Sequence, residues 1–306
     1  MQTFYSHGKL LLTGEYVILD GAKGLAIPTK KGQSLVVTTN TSGKIEWNSY
    51  DCYGNIWYRT EVEIPKLFKS NPPKGNSKFD ETLFKILWHA QQLNPDFLNT
   101  EIGINVETYL EFERLWGLGT SSTLINNIAK WAKVNPFELL YKSFGGSGYD
   151  IAAAETKQPI FYERTTDENK PLITKANFDP VFKDQLFFVY LEKKKDSKDA
   201  IKNYRSQSKE NLQSVISTIN QLTDEISACN DIKTFENLLN EHEKVIASIL
   251  KTEPIKQQRF PNFSGAVKSL GGWGGDFVLV TGSKESMNYF SRKGYITILP
   301  YGEMIL

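Results

Sequence analysis

Redox and zinc chemistry have little material in this chain. Its 306 residues hold two cysteines, Cys52 and Cys229, and three histidines, and neither type recurs at the short spacings of zinc sites or Cys-x-x-Cys pairs. An excess of one charge is missing too. With 36 basic against 35 acidic residues the net charge is +1, so the counts offer no basic face to a nucleic-acid backbone. No apolar run approaches the about 18 residues that suggest a membrane-spanning helix. Met1-Gln-Thr-Phe-Tyr5 enters strand-like sequence with no basic leader before an apolar stretch. The expectation is a cytoplasmic protein with no nucleic-acid or membrane partner. There is no internal repeat and no low-complexity tail.

Glycine is present, and it is clustered. The stretch Trp116-Gly-Leu-Gly-Thr-Ser-Ser-Thr123 runs into Leu124-Ile-Asn-Asn-Ile-Ala-Lys-Trp-Ala132, a glycine-and-hydroxyl loop opening an amphipathic helix. Gly117 and Gly119 put no side chain between backbone and ligand. The first-turn amides are open donors at the positive end of the helix dipole, which suits a phosphate. Thr120, Ser121, Ser122 and Thr123 add hydroxyls for capping, phosphate or magnesium. The bland alternative is a glycine turn with a hydroxyl cap that merely starts a helix. Three more segments bear on that choice: Ser6-His-Gly-Lys-Leu-Leu-Leu-Thr-Gly-Glu15, Gly145-Gly-Ser-Gly-Tyr-Asp150 ahead of Ile151-Ala-Ala-Ala154, and Lys268-Ser-Leu-Gly-Gly-Trp-Gly-Gly-Asp276.

Periodicity places these segments. Residues 2 to 64 are rich in β-branched and aromatic side chains broken by Gly-Asn, Ser-Gly and Asp-Gly pairs, and read as antiparallel strands. Residues 65 to 77 read as a loop. Phe79, Leu83, Phe84, Leu87 and Ala90 then mark a helix whose apolar stripe faces a core. Residues 102 to 110 form a strand that delivers the phosphate-loop candidate, and Leu124, Ile125, Ile128, Ala129 and Ala132 mark one buried helix face. Another helix starts at Pro136. The polar stretch 165 to 180 is the best domain boundary. Beyond it come a strand at 185 to 191, long helical patterns at 198 to 228 and 233 to 251, a strand at 276 to 281, a helix near 284 to 293 and a strand at 295 to 300. This mixed order predicts an α+β architecture in two lobes, divided as 1–175 and 176–306.

In this order and at these separations the four segments resemble the motifs of the GHMP kinases, the superfamily of galactokinase, homoserine kinase, mevalonate kinase and phosphomevalonate kinase. The Gly-Tyr-Asp-Ile-Ala string resembles a bacterial subgroup named for those letters. The resemblance implies an N-terminal lobe like ribosomal protein S5 domain 2, a C-terminal ferredoxin-like lobe, and nucleotide and acceptor in the cleft between. It implies an ATP- and Mg2+-dependent transferase of the mevalonate-pathway type, feeding isoprenoid synthesis, whose acceptor is an alcohol with or without its own phosphate. The chain would act as monomer or homodimer. The alternative is a protein of the same fold that binds nucleotide or metabolite without transfer.

By motif position, Lys9 matches the lysine beside the acceptor hydroxyl, and Asp150 the general base. A carboxylate opening a helix should have its pKa depressed by the dipole, which would make it an orienting group instead. Gly117, Gly119, Thr120, Ser121 and Ser122, with Gly271, Gly272 and Gly274, match the nucleotide-binding loops. Ser121 and Glu138 are the metal candidates. Glu15 matches a first-motif glutamate that would orient Lys9 or pin its strand, Ser197 a hydroxyl early in the second lobe, and Lys268 and Asp276 a pattern of phosphomevalonate kinases. Several positions depart from the family. His7 replaces a proline, Glu113-Arg-Leu-Trp116 replaces a small, proline-containing lead, with Arg114 free to meet a phosphate or only solvent, and Leu270 and Trp273 replace serine and glycine, Trp273 bringing bulk into a glycine loop as base-stacking group, pocket wall or core anchor.

Overall fold

The computed structural model describes residues 1–67, 71–192, 197–207, 210–273 and 275–306; the side chains of 197–200 are outside the described set. The chain opens on β1 (Gln2–Leu11), makes a 3-10 turn at Val17–Asp20, and returns along β2 (Gly24–Asn40), β3 (Lys44–Tyr50) and β4 (Ile56–Glu63). A helical turn α1 (Ile64–Leu67), the helix α2 (Lys78–Leu93) and β5 (Gly103–Leu110) follow. Three helices, α3 (Thr120–Ala132), α4 (Pro136–Ser143) and α5 (Tyr149–Glu155), precede β6 (Ile160–Glu163) and β7 (Leu172–Lys175). Then come β8 (Leu186–Tyr190), α6 (Ser197–Ser206), α7 (Leu212–Ala228), α8 (Ile232–Leu250), α9 (Ile255–Arg259), β9 (Val267–Ser269), β10 (Phe277–Thr281), α10 (Asn288–Ser291), β11 (Ile298–Pro300) and α11 (Tyr301–Met304).

These form the expected α+β arrangement on two sheets. The first has seven strands in the order β4-β3-β5-β2-β6-β7, with β1 on the other side of β2; β3 and β5 run parallel and the remaining pairs antiparallel. Its strands alternate as a half-buried sheet must: Ile45, Trp47 and Ser49 of β3 are buried while their neighbours are partly exposed. The second sheet is antiparallel, in the order β11-β8-β10-β9. Its central strand β10 is buried at every position, because apolar clusters cover both faces. Phe188 and Leu279 look into one cluster, Val189, Val278 and Val280 into the other.

The period of two also joins the halves. Leu11 of β1 enters the core beneath α2 to α5, whereas Leu10 and Leu12 enter a second cluster shared with Phe188, Phe235 and Phe277. The strand bearing Lys9 is thereby anchored on both sides. No helix among the described residues is long and apolar enough to cross a membrane.

Three local expectations need correction. The helical pattern at 198–228 is two helices, and Asn211, at φ 61°, starts the second. The supposed boundary segment contains β7, which pairs with β6. Phe79 is 54% exposed rather than core: the Ser77–Asp80 capping box that starts α2 turns it outward, against Trp57.

Candidate active site

The cation comes first, because β1 builds it into the structure. The ladder with β2 breaks between His7 and Lys9. At the intervening Gly8 a side chain would meet Thr29 Oγ1 at 2.5 Å and the Leu118 carbonyl at 3.2 Å. That close approach lets the Lys9 amide donate to Leu118 O at 3.0 Å, so the strand continues onto the second glycine loop. The Lys9 side chain lies along the same loop. Its ammonium donates to Gly117 O at 3.1 Å and stands 5.3 Å from the centre of the Tyr149 ring. Burial works to neutralise this amine, but Tyr149, Asp150 and Asp276 outweigh it, and the Lys9 pKa is raised. Lys9 is a fixed, permanently charged group.

The glycine loop ends in α3, whose N-terminus no side chain caps. Its N-cap is Gly119 at φ 93°. The hydroxyls divide by direction. Ser122 Oγ turns back to Gly119 O at 2.9 Å, and Thr123 Oγ1 to the same carbonyl at 3.0 Å and to Gln33 Oε1 at 2.6 Å. Ser121 is exposed. The helix is held in register by a buried polar seam, with Ser6 Oγ donating to Asn127 Oδ1 at 2.7 Å and Asn127 Nδ2 to Gln33 O at 2.9 Å. Ile125 and Ile128 bury its other face, each contributing roughly 1.5–3 kcal/mol.

Asp150 lies in the first turn of α5. The loop before it is clamped. Tyr162 Oη donates to Ser147 O at 2.5 Å and Tyr141 Oη to the same carbonyl at 3.2 Å, and Gly148, at φ 91°, leaves room for both rings. The Ile151 amide donates to Asp150 Oδ1 at 3.2 Å. Burial pushes the Asp150 carboxyl up, and Lys9 and the helix amides only partly oppose it. The direction is the reverse of the depression that the helix dipole alone would give, because enclosure disfavours the charged form.

The third glycine segment approaches from the second sheet and brings a residue that the glycines had overshadowed. Asp276 is 8% exposed and adopts φ 49°; its carboxylate fills the space a side chain on Gly117 would need. It also bears on the charge of Lys9. Two carboxylates, one from each half of the chain, thus act on the charge of one ammonium. Gly271 has φ 67° and Gly272 is buried, while Gly274 lies outside the described residues. Trp273 is partly buried: its amide donates to Tyr16 Oη at 2.9 Å, and it packs against a cluster that includes Val17, Tyr204 and Ile246.

Other expected residues are elsewhere. Glu15 pairs with Lys268, both fully buried. Glu138 stands on the outer side of α4, 3.7 Å from Lys142, and is not among the groups acting on Lys9 or Asp150. Arg114 stacks 3.8 Å from the centre of the Trp57 ring. Ser197 begins α6, with its side chain outside the described set. Among the described residues no three His, Cys, Asp or Glu side chains group as a metal cluster.

Solved structures share this fold across nearly the whole chain. Mevalonate kinase from Methanococcus jannaschii superposes with a TM-score of 0.70 over 97% of this chain and 96% of its own, at 16% identity. Phosphomevalonate kinase from Streptococcus pneumoniae, in complex with phosphomevalonate and AMPPNP, gives 0.62 over 97% and 99%, at 16% identity. Galactokinase from Lactococcus lactis, with galactose, gives 0.66 over 95% and 88%, at 12% identity. The chain has the GHMP kinase fold. No protein-family model and no curated protein sequence matches it.

Proposed function

We propose that this protein is an ATP-dependent small-molecule kinase, transferring the γ-phosphoryl group to an alcohol or phosphate of a mevalonate- or phosphomevalonate-like acceptor. The observation that carries the reading is convergence. Lys9, the open end of α3 and Asp150 come from three separated segments, and the electrostatic environment of Lys9 joins the first and last. Lobes 1–175 and 176–306 would meet around the nucleotide.

The residues present fit the groups required. Gly117 and Gly119, at φ 69° and 93°, keep the loop bare, and the first-turn amides of α3 suit a triphosphate. Gly271 and Gly272 would approach from the other side. For magnesium, a hard ion that prefers oxygen, Ser121 and Asp276 offer a hydroxyl and a carboxylate, and Asp276 is better placed than Glu138. When bound, that ion would neutralise phosphate charge. Asp150, with its raised pKa, would accept the proton of the attacking hydroxyl, while Lys9 opposes charge on the transferring group.

A second reading, nucleotide or metabolite binding without transfer, draws support from the outward position of Glu138. Product analysis with Mg-ATP against mevalonate, phosphomevalonate and sugar acceptors, in wild type and Asp150→Asn, separates the two. Phosphorylated product lost in the variant is expected. ATP binding with no product from any acceptor would favour the second reading.

A further inference from the structure

A group of ionisable side chains lies beneath the candidate site and touches none of its reacting groups. Glu15, Lys268, His242 and Glu243 are each at most 2% exposed. Lys268 pairs with Glu15 Oε1 and also donates to Ser269 O at 3.0 Å. Glu15 Oε2 faces His242 Nε2 at 3.5 Å. That nitrogen accepts the Gly14 amide at 3.0 Å, which makes it the unprotonated nitrogen of a neutral imidazole, as its lowered pKa requires in this enclosed place beside Lys268. Glu243 accepts the Ser269 amide at 3.2 Å and its hydroxyl at 3.0 Å. Three elements are joined: the turn after β1, the strand β9 and the helix α8.

Each end of this group leads to the site. From Glu15 the chain reaches Tyr16, held at φ 65°, whose hydroxyl accepts the Trp273 amide in the third glycine loop. From Lys268 the chain runs through that loop to Asp276, against Gly117. Backwards from Glu15 it reaches Lys9. A charged pair buried this deeply is a poor source of net stability, since desolvation offsets its attraction. An uncharged pair of the same shape would hold the fold as well.

We propose that Glu15 and Lys268, with His242 as the fixed acceptor of the Gly14 amide, are positioning residues that set the approach of the third glycine loop and Asp276 to Lys9. The proposal rests on the kinase reading only for its kinetic arm. The groups facing Glu15 are Lys268 from β9, His242 and Glu243 from α8, and Tyr149 from α5. Burial, beyond what Lys268 recovers, lifts the Glu15 pKa to about 7. The paired form is the ionised one, present above that pH and lost below it.

The test combines transfer kinetics with hydrogen exchange on Glu15→Gln, Lys268→Met and the double variant, between pH 6 and 8. Glu15→Gln should lower kcat by roughly tenfold, as expected for a displacement near 1 Å or less, with the ATP KM changed less than threefold. Its exchange should rise at residues 14–17 and 271–273 but not in α2 or α4. The double variant should be no slower than the slower single variant, because both act on one geometry. Wild-type kcat and exchange in Glu15→Gln, multiplicative losses in the double variant, or exchange raised evenly over the chain would each overturn the proposal. If no acceptor is phosphorylated even by wild type, the kinase reading fails, and the exchange measurements still decide this one.

Discussion

Lys9 and Gly117 are joined by a hydrogen bond of 3.1 Å, from the ammonium of the first strand to a carbonyl of the loop that opens α3. The bond fixes the charge where phosphate oxygens would arrive, and it occupies a carbonyl that would otherwise repel them. Removing the charge should therefore cost more than affinity. Lys9→Met is expected to lower kcat by about 10²–10³-fold, the scale of losing one oriented donor at a developing negative charge, with ATP binding by calorimetry reduced far less. Lys9→Arg should rescue little, because a planar fork cannot replace a compact ammonium between Gly117 O and the Tyr149 ring.

Asp150→Asn should lower kcat by about 10²–10⁴-fold. In wild type the acidic limb of kcat/KM should lie above the ordinary aspartate range, since burial raises this carboxyl. The sign for stability is opposite to that for activity. A folded pKa above the unfolded one stabilises the fold at low pH, and this contribution is lost as pH rises through the folded value. Asp150→Asn should therefore melt higher than wild type at pH 8, by a margin that shrinks toward pH 4. A margin that grows on acidification would contradict the raised pKa.

Gly117 and Asp276 compete for one volume. Gly117→Ala adds a methyl where the carboxylate lies, on a backbone at φ 69°. The left-handed conformation alone costs roughly 1–2 kcal/mol for a residue with a Cβ. The variant should lose stability and weaken ATP binding. Asp276→Gly in the same chain should restore stability, because it removes the collision and relaxes φ 49°, yet kcat should stay low if the carboxylate has the role proposed for it. Melting temperature and kcat, measured together, separate the two effects.

Much of this was legible in sequence because it is local. The apolar spacing of Leu124, Ile125, Ile128, Ala129 and Ala132 marks one face of α3; the last four are buried, and Leu124 is partly buried against the same core. Glycine clustering marks loops, and the positive φ of Gly117, Gly119, Gly148 and Gly271 is the physical reason. What escaped depends on distant partners. The Asp276 carboxylate, named in the sequence only as a motif residue, matters because it packs against Gly117, and Glu15 pairs with Lys268 because β9 offers it. Phe79 fits a helical stripe, yet it faces outward with Trp57. Residues 205–211 are polar throughout, and their composition does not announce the left-handed backbone of Asn211 that starts the second helix.

The clamp on Ser147 tests whether Asp150 must be held rather than merely present. Tyr162 and Tyr141 both donate to the Ser147 carbonyl, so Tyr162→Phe leaves that oxygen one partner and should cost about 1 kcal/mol of stability. Its effect on kcat should be a few-fold. Gly148→Ala is a harsher change, since the new methyl would stand 2.6 Å from Tyr162 Oη and 2.8 Å from Tyr141 Oη on a backbone at φ 91°. Relief requires the loop to move, and Asp150 moves with it two residues later. Gly148→Ala should thus lower kcat by at least tenfold more than Tyr162→Phe, while nucleotide affinity, proposed to reside at α3, changes little. Equal kcat in the two variants would mean that Asp150 tolerates displacement, which a base aligned on a hydroxyl proton would not.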